Sequence, residues 1–183
     1  PLRRLAKHGK TDLGRLHALH ALAGLNALVF EDVTAAMVDG SPVVRGHGVR
    51  LAEQFLPKRK AGIAVQLSKD SPLALHLIRL AGTRDFFVQN QLAWTLGLVD
   101  FSGKTDVLHS IYRQAGTDYW QLPGLFNATT EQHGQLITAL EADAALKANP
   151  YREMILQNLH AMKEGRLAKF VAPKKRSASV LPI

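Results

Sequence analysis

The residues in this chain best suited to metal binding or catalysis are its eight histidines. Histidine side chains can bind metal ions or transfer protons near neutral pH. His17 and His20 form the closest pair, and at positions i and i+3 of a helix they would share one side and could bind a metal ion. No nearby carboxylate completes a site of the kind that holds zinc. The spacing therefore favours ordinary polar or interfacial histidines.

Other catalytic signatures are missing from the sequence. His47 stands between Gly46 and Gly48, but a phosphate-binding loop needs a preceding strand and more glycines at fixed spacing, so we expect close helix packing at Gly48. There is no Gly-x-Ser-x-Gly or His-Glu-x-x-His motif. The lack of Cys excludes disulfides, thiol catalysis, thiolate metal sites and a c-type haem attachment motif. We therefore predict no catalytic, cofactor-binding or metal-binding residues in this chain.

Aromatic residues cluster in the middle third of the sequence, where they could line a groove or pack in a core. Core packing is the expected role for most of them, and Trp94 falls on one helical face with Phe87 and Gln91. Tyr119 and Trp120 are adjacent and cannot both point inward. One of these two is therefore predicted to be an exposed anchor for a partner.

The net charge of +8 is concentrated at the two ends of the chain. The first ten residues carry four basic side chains and no acidic one, and residues 163–183 carry six basic and one acidic, which leaves the body close to neutral. A nucleic-acid binder needs a positive surface along the phosphate backbone. We therefore expect only weak nucleic-acid affinity, confined to the termini.

The C-terminal tail, residues 171–183, reads VAPKKRSASVLPI and has no helical period. Alone it should be disordered. An acidic partner would attract Lys174, Lys175 and Arg176, so we expect another chain, rather than this chain's own helices, to hold the tail.

Helical periodicity dominates the rest of the sequence. Between residues 11 and 28 leucines recur at every third position, with Asp12 as a plausible helix cap. The segment 41–56 begins with Ser41 and Pro42, a cap residue followed by the proline that suits the first helical position. Overlaying these segments on two later ones places four residues in one register: Arg15, Arg45, Gln89 and Gln121. We expect Arg45 to reach acidic or carbonyl groups of an adjoining turn, such as those of Asp39 or Asp85.

The intervals between these four positions must each hold a further helix, and the candidates are 31–39, 71–80 and 104–115. Two more helices are expected at 133–148 and 150–166, and the stretch 57–70 is interpreted as a loop with a short helix. Paired helices that recur at such periods bury their apolar faces only by stacking, which is typical of an α-solenoid. We therefore predict an all-α solenoid of antiparallel helix pairs with about eight to ten helices and no sheet. Its predicted parts are a basic segment 1–10, a helical domain 11–166 and a basic tail 167–183.

The chain resembles the HEAT-repeat family in the turn formed by Ser41, Pro42, Val44 and Arg45, with weaker echoes at 85–89 and 118–121. A narrower resemblance covers RLHAL at 15–19 and VRLAE at 49–53. It is to the HEAT segment of membrane-bound dehydrogenase-like proteins of planctomycetes and verrucomicrobia, which lies between a β-propeller and a c-type cytochrome domain. The later copies depart from that pattern, with Gln in place of Arg and with Pro123 inside a helix.

These resemblances imply a non-catalytic protein–protein interaction module, a fragment or subunit of a larger assembly whose redox chemistry would belong to other domains. They imply a periplasmic location, with the cytoplasm as the alternative. A HEAT-like nucleic-acid-binding protein or DNA-repair glycosylase is the second hypothesis, and a HEAT-like bilin lyase is the third, although no catalytic residue of that family matches here. No apolar run approaches the roughly 20 residues of a membrane span. Because the chain begins at Pro1, we expect a processed product or a fragment.

Overall fold

The computed structural model describes residues 1–58, 63–68, 70–114, 121–129 and 132–166. These residues form ten α-helices, which confirms the all-α prediction. The helices are α1 Leu2–His8, α2 Asp12–Gly24, α3 Phe30–Met37, α4 Pro42–Ala52, α5 Pro72–Leu80, α6 Phe86–Leu96, α7 Lys104–Gln114, α8 Leu122–Ala128, α9 His133–Ala142 and α10 Arg152–Lys163. None of the helices in the described residues is long and apolar enough to cross a membrane.

Two short parallel strands, β1 Val65–Gln66 and β2 Val99–Asp100, contradict the prediction that there is no sheet. The N–H of Val65 donates to the carbonyl of Leu98, and the N–H of Leu67 donates to the carbonyl of Asp100, both at 2.8 Å. Both strands lie in links between helices, where backbone groups have no helical partner. Pairing the two links satisfies groups that would otherwise need water or side chains.

The helices begin close to the predicted positions, but two caps differ from the prediction. Thr11, and not Asp12, caps α2, because its Oγ1 accepts the N–H of Gly14 at 3.1 Å. Ser41 occupies the cap position of α4, but its side chain donates to Asp12 Oδ2 at 3.2 Å and accepts no backbone N–H of α4. Pro42 is the first residue of α4, as its fixed φ angle favours.

Two further helix boundaries differ from the prediction. Helix α8 begins at Leu122, so Pro123 lies in its first turn, where a missing N–H costs nothing, and not in its interior. The predicted helix 133–148 divides into α9 and a 3₁₀ turn, Ala144–Ala148. The division falls at Asp143, whose side chain accepts the N–H of Ala145 at 2.9 Å and so begins a new turn.

The helices contact one another in a regular order. Each odd-numbered helix contacts the even-numbered helix that follows it, from α1 with α2 to α9 with α10. The odd-numbered helices also contact one another in sequence, and so do the even-numbered helices from α2 to α10. Two rows of neighbouring helices result, with the apolar core between them. Fully buried residues such as Leu19, Val33, Val49, Leu77, Leu92, Leu108 and Leu125 come from both rows.

Helix α1 belongs to this packing, although it lies within the basic segment predicted for residues 1–10. Helix α1 contacts both α2 and α3, and its Ala6 is buried. Arg3 donates through Nε to both carboxylate oxygens of the buried Asp32, at 3.0 and 2.9 Å, and through Nη2 to the carbonyl of Ala27 at 2.7 Å. Part of the basic charge at this end of the chain is therefore used to attach α1 to α3.

Close helix packing occurs at Gly48, as expected from the sequence. A Cβ atom at this position would lie 2.8 Å from the backbone nitrogen of Met37 and 3.0 Å from Cβ of Ala36. The glycine therefore lets the backbones of α3 and α4 approach more closely than any side chain would permit.

Candidate interaction surface

Residues placed in register by the sequence make the same hydrogen bond wherever the structure describes both partners; the carbonyl six residues before Gln121 lies outside the described residues. Arg15, Arg45 and Gln89 each follow a helix cap by four residues, and each donates a side-chain N–H to the backbone carbonyl six residues earlier. The acceptors are Gly9 at 2.8 Å, Asp39 at 2.8 Å and Thr83 at 2.6 Å. Each side chain thus ties the loop before an even-numbered helix to the first turn of that helix.

Arg45 makes the contact with Asp39 that was expected, and a second one at 3.0 Å with the carbonyl of Gly40. Asp39 also receives two hydrogen bonds from Arg15, through Nε at 2.7 Å and Nη2 at 2.8 Å, and one from the N–H of Ser41 at 2.8 Å. Burial by itself would raise the pKa of Asp39, but the bonds from Arg15 and Ser41 and the nearby positive charges lower that pKa overall. This arrangement joins α2 to the loop between α3 and α4.

At Gln89 and Gln121 a chain of amides takes the place of the ion pair. Gln89 donates to Gln114 Oε1 at 3.1 Å, and Gln121 donates to Gln89 Oε1 at 3.2 Å. Gln89 and Gln121 are each only 3% exposed. A guanidinium at either position would bring a charge into a buried site, at a desolvation cost that an amide avoids. A neutral side chain therefore suits these two positions better than a guanidinium would.

The aromatic residues of α6 are exposed, which contradicts the expectation of core packing for most of the cluster. Phe86, Phe87 and Trp94 are 42%, 41% and 45% exposed, whereas Tyr112 of α7 is fully buried. Helix α6 packs its other side, which carries Val88, Leu92 and Leu96, into the core. Phe87 and Trp94 do share one face, as the sequence predicts, but it is the face turned away from that core.

Phe87 and Trp94 lie over the neighbouring even-numbered helices. A Cβ atom at Gly46 of α4 would overlap the ring of Phe87, so the glycine leaves the room that this ring occupies. A Cβ atom at Gly124 of α8 would lie 3.5 Å from Nε1 of Trp94. The two aromatic side chains therefore connect α4, α6 and α8 into one surface.

Two histidines extend this surface to α2. His47 lies beside Phe87, with ring centroids 5.6 Å apart. His20 Nε2 lies 3.0 Å from His47 Nδ1, and the two rings meet edge to face at an angle of 84°. The partner of His20 is thus on α4, and it is not His17, the neighbour indicated by the sequence. We call His20, His47, Phe87 and Trp94 the aromatic band.

Exposed carboxylates are scarce on the helices that carry the aromatic band. Asp12 at the start of α2 is exposed, and the other exposed residues of α2, α4 and α6 are Leu13, His17, His20, Gly24, Val43, Arg50, Phe86, Phe87 and Trp94. Burial, His20 and Arg50 together lower the pKa of His47. Arg50 is the exposed cation of α4, and the half-buried carboxylate of Glu53 accepts hydrogen bonds from Gln91 and Thr95 of α6. The exposed part of the surface therefore combines apolar rings with the positive charge of Arg50.

The residues predicted to bind a partner lie outside the described residues: they are Tyr119, Trp120, Lys174, Lys175 and Arg176. In the part of the chain that the structure describes, no group of three or more His, Asp or Glu side chains could hold a metal ion. Comparison of the chain with protein-family models, with curated proteins and with solved structures finds no match.

Proposed function

We propose that the chain is a HEAT-type α-solenoid of antiparallel helix pairs that serves as a non-catalytic protein-binding module, with the aromatic band as its docking surface. Two features support the solenoid. One is the order of contacts, in which each row of helices continues from neighbour to neighbour. The other is the side-chain bond to the carbonyl six residues earlier, which recurs in α2, α4 and α6.

The observation that carries the binding function is the exposure of Phe87 and Trp94 on one face of α6. Large aromatic side chains bury much apolar area when covered and are the residues that most often dominate binding at protein interfaces. Contacts with α4 and α8 hold these two in place. Little conformational entropy would therefore be lost when a partner covers them.

The chemistry of the face defines the partner. Phe87 and Trp94 are seven residues apart, about 10.5 Å along the helix axis at 1.5 Å per residue. A partner helix with apolar residues at the matching spacing would cover both rings. Carboxylates beside that apolar stripe would face Arg50, because no exposed carboxylate of α4 or α6 competes with them. The partner is therefore an acidic amphipathic helix of another chain, or of another domain of a longer polypeptide.

A peptide selection tests this function. The immobilised chain is screened against a random helical peptide library, and binding is then compared among the wild type and two double variants. Phe87→Ala with Trp94→Ala removes the anchors, whereas Leu75→Ala with Ile78→Ala removes two exposed apolar residues of α5, in the other row. We expect acidic amphipathic peptides whose binding only the first variant abolishes. Peptides that lack acidic residues, or that bind the first variant unchanged, would reject the proposal.

A further inference from the structure

We propose that His20 and His47 form a binding site for a divalent ion of the Cu²⁺ or Ni²⁺ class, built across α2 and α4. This inference does not depend on the proposed protein-binding function. It rests on the contact between the two rings, whose nitrogens, His20 Nε2 and His47 Nδ1, are 3.0 Å apart. Imidazole nitrogen is a preferred ligand of both ions.

The type of ligand favours Cu²⁺. Imidazole nitrogen binds Zn²⁺, Cu²⁺ and Ni²⁺, and among these ions Cu²⁺ forms the most stable complexes. The short distance between the two nitrogens shows that both rings reach the same point in space, where one ion could contact both of them after rotation. We therefore expect Cu²⁺ to bind most tightly.

The surroundings of the pair allow an ion to enter. The two nitrogens now share one hydrogen bond along the line that joins them, so both rings must turn for their lone pairs to meet at an ion beside that line. His20 is exposed and His47 is half-buried, which leaves space for this rotation. No third protein ligand is present among the described residues, so water would occupy the other positions and the affinity would be modest.

Arg50 provides a second test of the location, because its positive charge acts on His47. A cation bound at His47 would be repelled by the guanidinium. Replacing the charge in the variant Arg50→Gln should therefore tighten Cu²⁺ binding without supplying a strong new ligand. A site elsewhere on the chain would not respond to this substitution.

The experiment is a titration of the full chain, free of any affinity tag, with CuCl₂, NiCl₂ and ZnCl₂ in a buffer that does not bind metals. Calorimetry gives the affinities, and electron paramagnetic resonance counts the nitrogens bound to Cu²⁺. We expect one Cu²⁺ held by two imidazoles, with Ni²⁺ and Zn²⁺ bound more weakly. His20→Ala and His47→Ala should each weaken Cu²⁺ binding on the order of tenfold to a hundredfold, since loss of a mere supporting residue already has such an effect.

His17→Ala is the matched control, because His17 would be the partner of His20 if the spacing of the sequence alone decided the site. This variant should bind Cu²⁺ like the wild type. Circular dichroism checks that each variant is folded. His20 is exposed, so His20→Ala should remain folded and still test the site even if His47→Ala unfolds. Equal losses in His17→Ala and His47→Ala, unchanged binding by His20→Ala, or tighter binding of Zn²⁺ than of Cu²⁺ would overturn the assignment.

Discussion

The ion pair between Arg15 and Asp39 provides a quantitative test of how α2 is joined to the next helix pair. The substitution Asp39→Ala removes the acceptors of three hydrogen bonds, two from Arg15 and one from the N–H of Ser41. In the wild type, the side chains of Arg15 and Asp39 are only 16% and 12% exposed. The substitution therefore leaves a largely buried guanidinium without its carboxylate partner. The variant should therefore unfold more easily than the wild type.

The expected loss of stability depends on how deeply the Arg15–Asp39 pair is buried. Breaking a fully buried ion pair costs about 3–5 kcal/mol, whereas an exposed pair contributes about 0–1 kcal/mol. Solvent reaches part of the Arg15–Asp39 pair and screens it, so we expect a loss of about 2 kcal/mol in the free energy of unfolding. The exposed pair of Arg166 and Glu164 serves as the control, and Glu164→Ala should change stability by less than about 0.5 kcal/mol.

The assay is urea unfolding at neutral pH, followed by circular dichroism and completed as a double-mutant cycle with Arg15→Ala. A coupling energy of about 1 kcal/mol or more between Arg15 and Asp39 is expected, because the two side chains contact each other directly. A loss below about 0.5 kcal/mol for Asp39→Ala, or a coupling near zero, would refute the structural role given to this pair.

Two further predictions concern packing and pH. Gly48→Ala should destabilise the fold by about 1–3 kcal/mol, because its Cβ would lie 2.8 Å from the backbone of Met37, whereas Gly40→Ala, with no atom within 4 Å, should be nearly neutral. Urea unfolding of both variants checks this, and equal effects would contradict the packing. Stability should also fall as the pH is lowered below about 6.5. Burial is the main cause of a lowered pKa in His47, His76 and His133. As the pH falls, the unfolded chain therefore takes up protons before the folded chain does, which favours unfolding. Thermal melts from pH 7.5 to pH 5 measure the effect, and a melting temperature that stays constant or rises as the pH falls would be inconsistent with it.

Much of the helical structure could be predicted because it depends on local patterns of apolar residues and helix caps. The intervening helices expected at 31–39, 71–80 and 104–115 correspond to α3, α5 and α7. The strand pair could not be predicted in this way. Its two-residue strands carry no periodic signal, and the paired residues Val65 and Val99 are separated in sequence by α5 and α6.

The exposure of Phe87 and Trp94 in the aromatic band could not be predicted from the sequence pattern of α6. The sequence of α6, FFVQNQLAWTL, carries apolar residues on every side, so no polar face marks the exposed positions. The row formed by Val88, Leu92 and Leu96 was the available signal, because Phe87 and Trp94 fall outside it. The space that Gly46 leaves for the ring of Phe87 depends on packing between helices, which periodicity within one helix does not describe.

The contact between His20 and His47 could not be predicted from the repeat alignment. That alignment sets Arg15 on Arg45, an offset that places His17, and not His20, at the position equivalent to His47. Which turn of α2 faces His47 depends on the rotation and shift of α2 against α4. Those quantities follow from side-chain volumes along the whole interface and not from the spacing of a motif.

Binding of a protein helix to the aromatic band is tested most directly by site-specific photocrosslinking. A photoreactive phenylalanine analogue is placed at position 94 on α6 or, for comparison, at position 75 on α5, and each protein is irradiated with a selected acidic amphipathic peptide. We predict crosslinks to the apolar face of the peptide from position 94 and none from position 75. Crosslinks from position 75 that equal or exceed those from position 94 would contradict the claim.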